Sequence, residues 1–462
     1  MMNMQKFDFH EIEKATGGHI ISGSGKTGAE SVSTDSRKVS PDSVFFPLTG
    51  EKHDAHEFLP EVIKSGCRNI VISDEKALDF TDAHDLNVIK VDDTTRALQD
   101  LARWYLRIIS PLKIGVTGSV GKTSTKDMTA CVCSSKYKTG KTLKNQNNHI
   151  GLPLAVLSFD RDTEAAVLEM GMDHFGEIDF LADIVRPDIG VITNIGVSHK
   201  ENLGSREGIF RAKMEITDYF GEENTLVFSQ SRDFLQKKNI DGRYRLISTG
   251  TGTDNDFVIS DINDIDGNET EFFLACGGEK QYFRIPAAGR HNAFNASLAV
   301  AAGMQIGIDM QQSAEALKGL ELTEGRLSVI KCSNIKIIDD TYNASPDSMK
   351  AAVDVLMSQT GKRKIAILGD MFELGEGTES YHQEIGRYAA ESGADRIFAI
   401  GELAENIACG AGSKGAFYRT KESFIGDISG FLRRGDTILV KASRGMEMEE
   451  IIENLLKIQE TI

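Results

Sequence analysis

The sequence predicts an α/β protein of three domains. A central domain with a mostly parallel sheet of the P-loop type lies between a smaller N-terminal α/β domain and a C-terminal Rossmann-like domain. Strand-like runs alternate with helical stretches over much of the chain, which is typical of parallel sheets. The length of 462 residues is more than one hydrophobic core usually organises. A glycine-containing turn also follows an apolar strand, as it does in nucleotide-binding sheets.

The first domain is predicted to span residues 1–108. It contains short strand-like runs at 43–48 and 69–73. A helix is expected at about 95–109. It should end near Ser110, because the following proline disfavours a helical conformation in the residue before it.

The second domain, predicted at residues 109–320, opens with the apolar, β-branched run Leu112–Thr117. Further buried strands are expected at 165–170 and 189–195, separated by helical stretches, so a parallel sheet is predicted. The domain should close with a helix at 292–307 and its successor.

The third domain is predicted to span residues 321–462. Its apolar strands alternate with helical stretches, which indicates a second, smaller doubly wound sheet. The strands are expected at 335–340, 364–368, Arg396–Ile400 and 437–440. A final helix around 448–456 has apolar residues at helical spacing and should face the core.

Charge and composition exclude several classes of protein. Hydrophobic residues make up 40% of the chain, which is ordinary for a globular protein. Lys and Arg number 52 against 69 Asp and Glu, a formal net charge of −17, which argues against nucleic acid or an anionic membrane as partner. No apolar run is long enough to span a bilayer. The six cysteines show no zinc-site spacing. We therefore expect a cytoplasmic protein with free thiols.

The strongest motif runs from Gly118 to Ser124, between a predicted strand and a predicted helix. Backbone N–H groups at such a turn bind phosphate oxygens, and the helix dipole adds to the attraction. Lys122 would reach the β and γ phosphates, and the Thr123 hydroxyl would bind Mg²⁺. Val116 stands where the longer phosphate-loop pattern has its first glycine. The alternative is a chance glycine turn beside a surface lysine.

Three further side chains are candidates for the site, and two of them lie near the ends of expected strands. Glu169 and His199 lie near strand ends, where open α/β sheets bind ligands, so a carboxylate at 169 could hold Mg²⁺. A capping acid and a structural histidine are the alternatives. Lys213 lies in a predicted helix at 208–220, and the residues alone favour a solvated lysine.

Together these residues resemble the Mur ligase family over nearly the whole chain. The resemblance implies ATP-dependent formation of an amide bond, with Lys122, His199 and Lys213 as catalytic residues. It implies two Mg²⁺ ions, one held by Thr123 and Glu169 and the second held by His199 together with a carbamylated Lys213. The nucleotide-binding residues it implies are Thr117, Gly118, Ser119, Val120, Gly121, Lys122, Thr123, Ser124, His291, Asn292, Asn295, Arg326 and Asp340.

Within the family, four segments resemble those of the member that adds a dipeptide: 33–37 followed by 54–56, 145–153, 339–349 and 368–375. The resemblance implies the substrates UDP-N-acetylmuramoyl-tripeptide and D-alanyl-D-alanine, joined through an acyl phosphate by a monomeric enzyme. The implied substrate-binding residues are Ser36, Arg37, Asp54, His56, Asn147, Asn148, Tyr342 and Asn343. A uridine-nucleotide site is thereby expected in the first domain.

Two other functions stay open on the sequence. One is a ligase of the same or the folylpolyglutamate type that adds a different amino acid. The other is a P-loop ATPase without ligase activity. Product analysis separates them, because a ligase releases ADP and phosphate only when an acceptor amine is present.

Overall fold

Three β-sheets, each formed by a successive part of the chain, organise the computed structural model of the protein. The structure describes residues 7–23, 28–50, 53–78, 85–231, 233–323 and 325–460. Within these ranges no helix is both long and apolar enough to cross a membrane.

The first part contains a five-stranded sheet and a separate two-stranded ribbon. Its strands are β1 (Phe7–Asp8), β2 (His19–Ser22), β3 (Gly28–Ala29), β4 (Ser31–Ser33), β5 (Ser43–Phe45), β6 (Asn69–Ile72) and β7 (Asn87–Lys90). Its helices are α1 (Phe9–Thr16), α2 (Leu59–Lys64) and α3 (Thr94–Ile109). The sheet order is β2-β7-β6-β5-β4, parallel except for the β2–β7 pair, and β1 pairs with β3.

Helix α3 confirms the predicted helix and links the first sheet to the second. The Asp93 side chain caps it by accepting the Arg96 N–H, and it ends at Ser110, whose φ is 44°. It packs against the central helices α5 (Gly151–Leu157) and α6 (Glu177–Val185). The buried Tyr105 hydroxyl donates to the Phe159 carbonyl at 2.8 Å, so the two parts share a core.

The central part contains a nine-stranded sheet. Its strands are β8 (Leu112–Thr117), β9 (Thr139–Lys141), β10 (Ala165–Glu169), β11 (Ile189–Ile192), β12 (Thr225–Ser229), β13 (Arg245–Gly250), β14 (Phe257–Ile265), β15 (Glu269–Cys276) and β16 (Glu279–Ile285). Besides α5 and α6, its helices are α4 (Lys122–Ser134), α7 (Lys200–Leu203), α8 (Arg206–Met214), α9 (His291–Gln305) and α10 (Met310–Leu317). The order is β9-β10-β8-β11-β12-β13-β14-β15-β16, parallel from β9 to β14 and antiparallel from β14 to β16.

Two predicted elements in this part end earlier than expected. The strand expected at 189–195 stops at Ile192, because the Thr193 and Asn194 side chains turn to donate to the Val120 carbonyl at 2.6 and 2.9 Å. The helix expected at 208–220 ends at Met214. The next side chain, Glu215, instead accepts backbone N–H groups at the start of α6.

The third part contains a six-stranded sheet. Its strands are β17 (Ser328–Lys331), β18 (Lys336–Asp340), β19 (Arg363–Gly369), β20 (Arg396–Ile400), β21 (Gly415–Tyr418) and β22 (Asp436–Lys441). Its helices are α11 (Pro346–Ser358), α12 (Thr378–Glu391), α13 (Glu405–Ala411), α14 (Lys421–Ile428) and α15 (Glu449–Ile458). The order is β17-β18-β22-β19-β20-β21, parallel except for β17–β18. The apolar residues of α15 face the core, as predicted.

The central sheet determines where a site can form. Strands β10, β8 and β11 are adjacent and parallel, and nearly all of their residues are buried. Their carboxyl ends therefore lie side by side at one edge of the sheet, about 4.8 Å apart. The loops that follow these strands bring the glycine turn, Glu169 and Asn194 to that edge.

Candidate active site

The turn between β8 and α4 needs glycine at two positions. Gly118 has φ 148°, and a Cβ there would lie 1.8 Å from the Thr193 hydroxyl oxygen. Gly121 has φ 83°, and a Cβ there would lie 2.7 Å from an amide oxygen of Asn295. Because glycine has no side chain at these two positions, the turn can pack closely against the end of β11 and against α9.

Asn194 holds this turn in shape. Its backbone carbonyl accepts the Ser119 N–H at 3.1 Å, and its side-chain oxygen accepts the Val120 N–H at 3.0 Å. The N–H groups that remain for a phosphate are those at the start of α4, which have no acceptor within a helix. The helix N-terminus is thus the anion-binding part of the turn.

Lys122 lies at the start of α4 with its ammonium beside the turn. Nζ donates to the Gly118 carbonyl at 2.8 Å and to the Ser119 carbonyl at 3.4 Å. Burial lowers the pKa of Lys122, and the negative charge of Glu169 opposes that shift. The ammonium is held where a phosphate on the helix N-terminus would meet it.

Glu169 and Thr123 offer oxygen ligands next to Lys122. Both are buried, at 2% and 3% exposure. Glu169 Oε1 accepts the Asn147 amide at 2.9 Å, whereas Oε2 has no hydrogen-bond partner among the described residues. A buried carboxylate oxygen without a partner is costly, and a cation removes that cost. The pair therefore fits Mg²⁺, which prefers oxygen ligands.

His199 lies between two carboxylates, Asp173 and Glu373, to which the sequence analysis assigned no role, although Glu373 belongs to the segment 368–375. Its Nδ1 is 3.0 Å from Asp173 Oδ1 and 2.8 Å from Glu373 Oε2. Burial lowers the pKa of His199, but the two carboxylates raise it by more, so it lies above its usual value. A single imidazolium charge does not balance two carboxylates, so negative charge remains for another cation. The three donor atoms lie within 4.8 Å of one another, close enough to share a metal ion.

Weak signals for both acids are visible after the fact. Asp173 and Glu373 each follow a buried parallel strand by four residues, β10 and β19. Glu373 comes from the third part of the chain and Asp173 from the central part. Their proximity depends on how the two parts meet, which the sequence does not state.

Lys213 is buried on α8, with 1% of its surface exposed, so the prediction of a solvated lysine is wrong. Burial lowers the pKa of Lys213 well below its usual value. The charge of Lys122 lowers it further, and Asp173 opposes the shift. Lys213 does not line the large cavity described below. A neutral amine is the form that adds carbon dioxide, so the environment suits the predicted carbamate, which stays a prediction.

A cavity of about 1040 Å³ lies between the central and third parts. The predicted site residues that line it are Ser119, Val120, Gly121, Lys122, Thr123, Ser124, Asn147, Asn148, Glu169, His199, His291, Asn292, Asn295, Arg326, Asp340, Tyr342 and Asn343. The predicted residues outside its lining are Thr117, Gly118, Lys213, Ser36, Arg37, Asp54 and His56.

The third part closes one wall of the cavity. Arg326 lies over the Tyr342 ring, 3.8 Å from its centre, and Nη2 donates to the Thr123 hydroxyl at 3.1 Å. Asp340 pairs with Lys441 at 2.6 Å, and Lys441 also donates to the Asn343 carbonyl at 2.7 Å. Lys441 was missed in the sequence, although it ends the buried strand β22. Arg326 thus contacts the phosphate loop directly, and Lys441 lines the same cavity.

The start of α9 forms another wall. Asn292 donates to the Ala288 carbonyl at 2.8 Å, and Asn295 donates to the Asn292 side chain at 3.0 Å. These bonds fix Asn295 against Gly121 of the phosphate loop. Burial lowers the pKa of His291, so its ring is neutral and suited to contact with an uncharged base.

The residues predicted to bind a uridine nucleotide lie on the first sheet. Ser36 follows β4, whereas Asp54 and His56 follow β5, the next strand in the sheet. His56 Nδ1 is 2.6 Å from Asp54 Oδ1, and its Nε2 accepts the Ser73 N–H at 3.1 Å. The parallel strands thus bring these residues to one carboxyl edge, the usual ligand edge of such sheets.

A phosphate loop, buried acids and a closing third part define an enzyme that uses a nucleoside triphosphate. Residues 29–105 match the family description "Mur ligase family, catalytic domain". Residues 116–303 match "Mur ligase middle domain", and residues 325–444 match "Mur ligase, glutamate ligase domain". The chain belongs to the Mur ligase family and is an ATP-dependent amide-bond ligase.

Particular relatives resemble the chain over nearly its full length. The UDP-N-acetylmuramoyl-tripeptide–D-alanyl-D-alanine ligase of Bacillus subtilis is 42% identical over 92% of this chain and 93% of its own. A crystal structure of MurF from Acinetobacter baumannii matches with a TM-score of 0.89 and 31% identity over 98% and 99% of the two chains. A MurF ligase from Thermotoga maritima in complex with ADP matches with a TM-score of 0.80 and 27% identity, over 93% and 98%. The predicted three-domain α/β fold is confirmed.

Proposed function

We propose that this enzyme joins D-alanyl-D-alanine to UDP-N-acetylmuramoyl-tripeptide, giving UDP-N-acetylmuramoyl-pentapeptide, ADP and phosphate. One observation carries the proposal: a single cavity is lined by the phosphate loop, buried acids and cationic residues of the third part. The dipeptide as acceptor is supported by the 42% identical relative that carries this activity in its name. We place the reaction in the cytoplasm, where ATP is supplied.

The reaction begins with activation of a carboxylate, which does not react with an amine in neutral water. A carboxylate oxygen of the tripeptide attacks the γ-phosphorus of ATP, and the bond from that phosphorus to ADP breaks. Lys122 and the N-terminus of α4 would hold the phosphate oxygens while charge moves onto ADP. Thr123 and Glu169 would hold one Mg²⁺, and His199 with a carbamylated Lys213 would hold a second. The two ions would supply further positive charge beside the phosphates.

The second step forms the amide. The dipeptide amine attacks the carbonyl carbon of the acyl phosphate, the C–O bond to phosphate breaks, and the nitrogen loses a proton. Water competes with the amine, so the acyl phosphate must be enclosed. Arg326 and Glu373 reach across from the third part to Thr123 and His199, which supports closure over the cavity.

Acceptor-dependent product formation tests the proposed function. Purified protein is incubated with ATP, Mg²⁺ and UDP-N-acetylmuramoyl-tripeptide, with and without D-alanyl-D-alanine. We expect ADP and pentapeptide in equal amounts only when the dipeptide is present. Single amino acids and glutamate serve as alternative acceptors in matched reactions. Turnover with one of these acceptors but not with the dipeptide would refute the assignment. ATP hydrolysis at the same rate with and without any acceptor would also refute it.

Arg37→Ala should weaken binding of the UDP-linked substrate and leave ATP binding unchanged. The Arg37 side chain follows β4, is 85% exposed and lies outside the cavity. Its guanidinium donates to Asp35 at 2.9 and 3.0 Å and can pair with a diphosphate. We expect KM for the UDP substrate to rise about tenfold, the equivalent of one charge-assisted hydrogen bond. Steady-state kinetics with each substrate varied in turn measure it.

Arg96→Ala is the matched control for this variant. Arg96 is equally exposed, at 83%, and also faces an aspartate, Asp100, but lies on α3. Its loss should change neither KM. If Arg37→Ala raises KM for ATP instead, the uridine nucleotide does not bind the first sheet.

A further inference from the structure

The segment that leads from the central part to the third part touches the phosphate-loop helix at two points. After α10 ends, Thr323 donates its N–H and its hydroxyl to Asp127 Oδ2, at 3.0 and 2.8 Å. Three residues further on, Arg326 donates to the Thr123 hydroxyl at 3.1 Å. Both acceptors, Asp127 and Thr123, belong to α4.

The two contacts lie on the same face of α4. Thr123 and Asp127 are four residues apart, so their side chains are neighbours about 6 Å apart along the helix axis. The contact at Thr323 therefore lies one turn from the residue that receives Arg326. Thr323 and Arg326 are only three residues apart in the chain, so we expect a shift at Thr323 to move the Arg326 guanidinium relative to the phosphate loop.

The Asp127 side chain is buried and held in one position by two lysines. It is 1% exposed, and its Oδ1 accepts Lys141 from β9 at 2.7 Å and lies 3.2 Å from Lys126 Nζ. The two lysines occupy one carboxylate oxygen and leave the other to Thr323. A buried carboxylate between two ammonium groups keeps its charge and one orientation. Its position is therefore set by the central part alone.

We infer that Asp127 is a positioning residue, which acts through Thr323 to place Arg326 beside the phosphate loop. Asp127 does not line the cavity, whereas Thr123 and Arg326 do. The contact gives the third part a fixed attachment one helical turn from Thr123. This inference rests on the proposed function, because the placed group serves phosphoryl transfer.

A double-mutant cycle between Thr323→Val and Arg326→Ala tests the inference. Valine keeps the shape of threonine and removes only the hydroxyl. We expect kcat to fall about fivefold in Thr323→Val, the rate equivalent of one hydrogen bond, with KM for ATP changed less than about twofold. In the Arg326→Ala background, Thr323→Val should cause no further loss. Thr323→Ser keeps the hydroxyl and should restore the wild-type rate.

Thr437→Val is the matched control. Thr437 is a buried threonine whose hydroxyl donates to the Thr360 carbonyl at 3.1 Å, within the third part. Its substitution should lower the unfolding temperature and leave kcat unchanged. Thr323→Ala enters the same cycle if valine prevents folding. Independent effects of Thr323→Val and Arg326→Ala on kcat would overturn the inference, as would a loss confined to stability.

The cycle is measured with whichever acceptor the wild-type enzyme uses. If the dipeptide is not the acceptor, the wild-type enzyme will fail to use it, and this result does not depend on the variants. The positioning role is overturned only by the behaviour of the variants.

Discussion

Lys122→Ala protein should fold normally and release ADP at least about a hundredfold more slowly than wild type, the scale expected for loss of one electrostatic stabiliser. The ammonium lies at the N-terminus of α4, within 3.4 Å of two loop carbonyls. No other lysine lies in the phosphate loop itself. Steady-state ADP release with saturating substrates measures the loss, and thermal unfolding checks the fold.

Lys136→Ala is the control for this variant. Lys136 follows the other end of α4, is exposed, and donates to the Gly307 carbonyl at 2.8 Å. Its loss removes a charge of the same sign from the opposite end of the same helix, and Lys136 does not line the cavity. We expect wild-type turnover from it. Wild-type turnover from folded Lys122→Ala would contradict the assignment of the phosphate loop.

The turnover rate of Lys213→Ala should also fall by about a hundredfold or more, and added carboxylate should restore part of it. A carbamate on Lys213 would be an anionic oxygen ligand next to a site that already contains His199 and Asp173. It forms from the neutral amine, and burial shifts the pKa of Lys213 in the direction that supplies this form. Added acetate or formate can occupy the space vacated by the side chain, so part of the activity should return.

Lys213→Arg separates the carbamate from an ordinary cation. Arginine keeps a positive charge, cannot be carbamylated, and leaves no space for acetate, so this variant should be inactive with or without added carboxylate. A complex with an ATP analogue should show additional atoms on the Lys213 nitrogen. A bare ammonium in that complex, together with no rescue of Lys213→Ala, would refute the carbamate.

Buried parallel strands were the most predictable part of the fold. Strands such as β8 and β10 are covered on both faces, so their residues form continuous apolar runs that sequence reasoning detects. The antiparallel extension β14–β16 was not predicted. In Glu269–Cys276 buried residues alternate with partly buried ones, whereas the prediction relied on the continuous apolar runs of strands that are buried on both faces.

The candidate site was predictable where one strand and one loop define it. The turn after β8 and the acid that ends β10 are local features of the sequence. The partners of His199 are not, because Asp173 and Glu373 are 200 residues apart and meet only when the third part closes. The sequence favoured a solvated Lys213 for the same reason: a single helix does not reveal what covers it.

Transfer of an oxygen atom tests the central claim, ligation through an acyl phosphate, most directly. UDP-N-acetylmuramoyl-tripeptide is labelled with ¹⁸O in its terminal carboxylate and turned over with ATP and D-alanyl-D-alanine. Because the acyl C–O bond breaks when the amine attacks, each phosphate released should carry one ¹⁸O atom from the carboxylate, as read by mass spectrometry. Phosphate that forms alongside the amide product but carries no ¹⁸O would contradict the account.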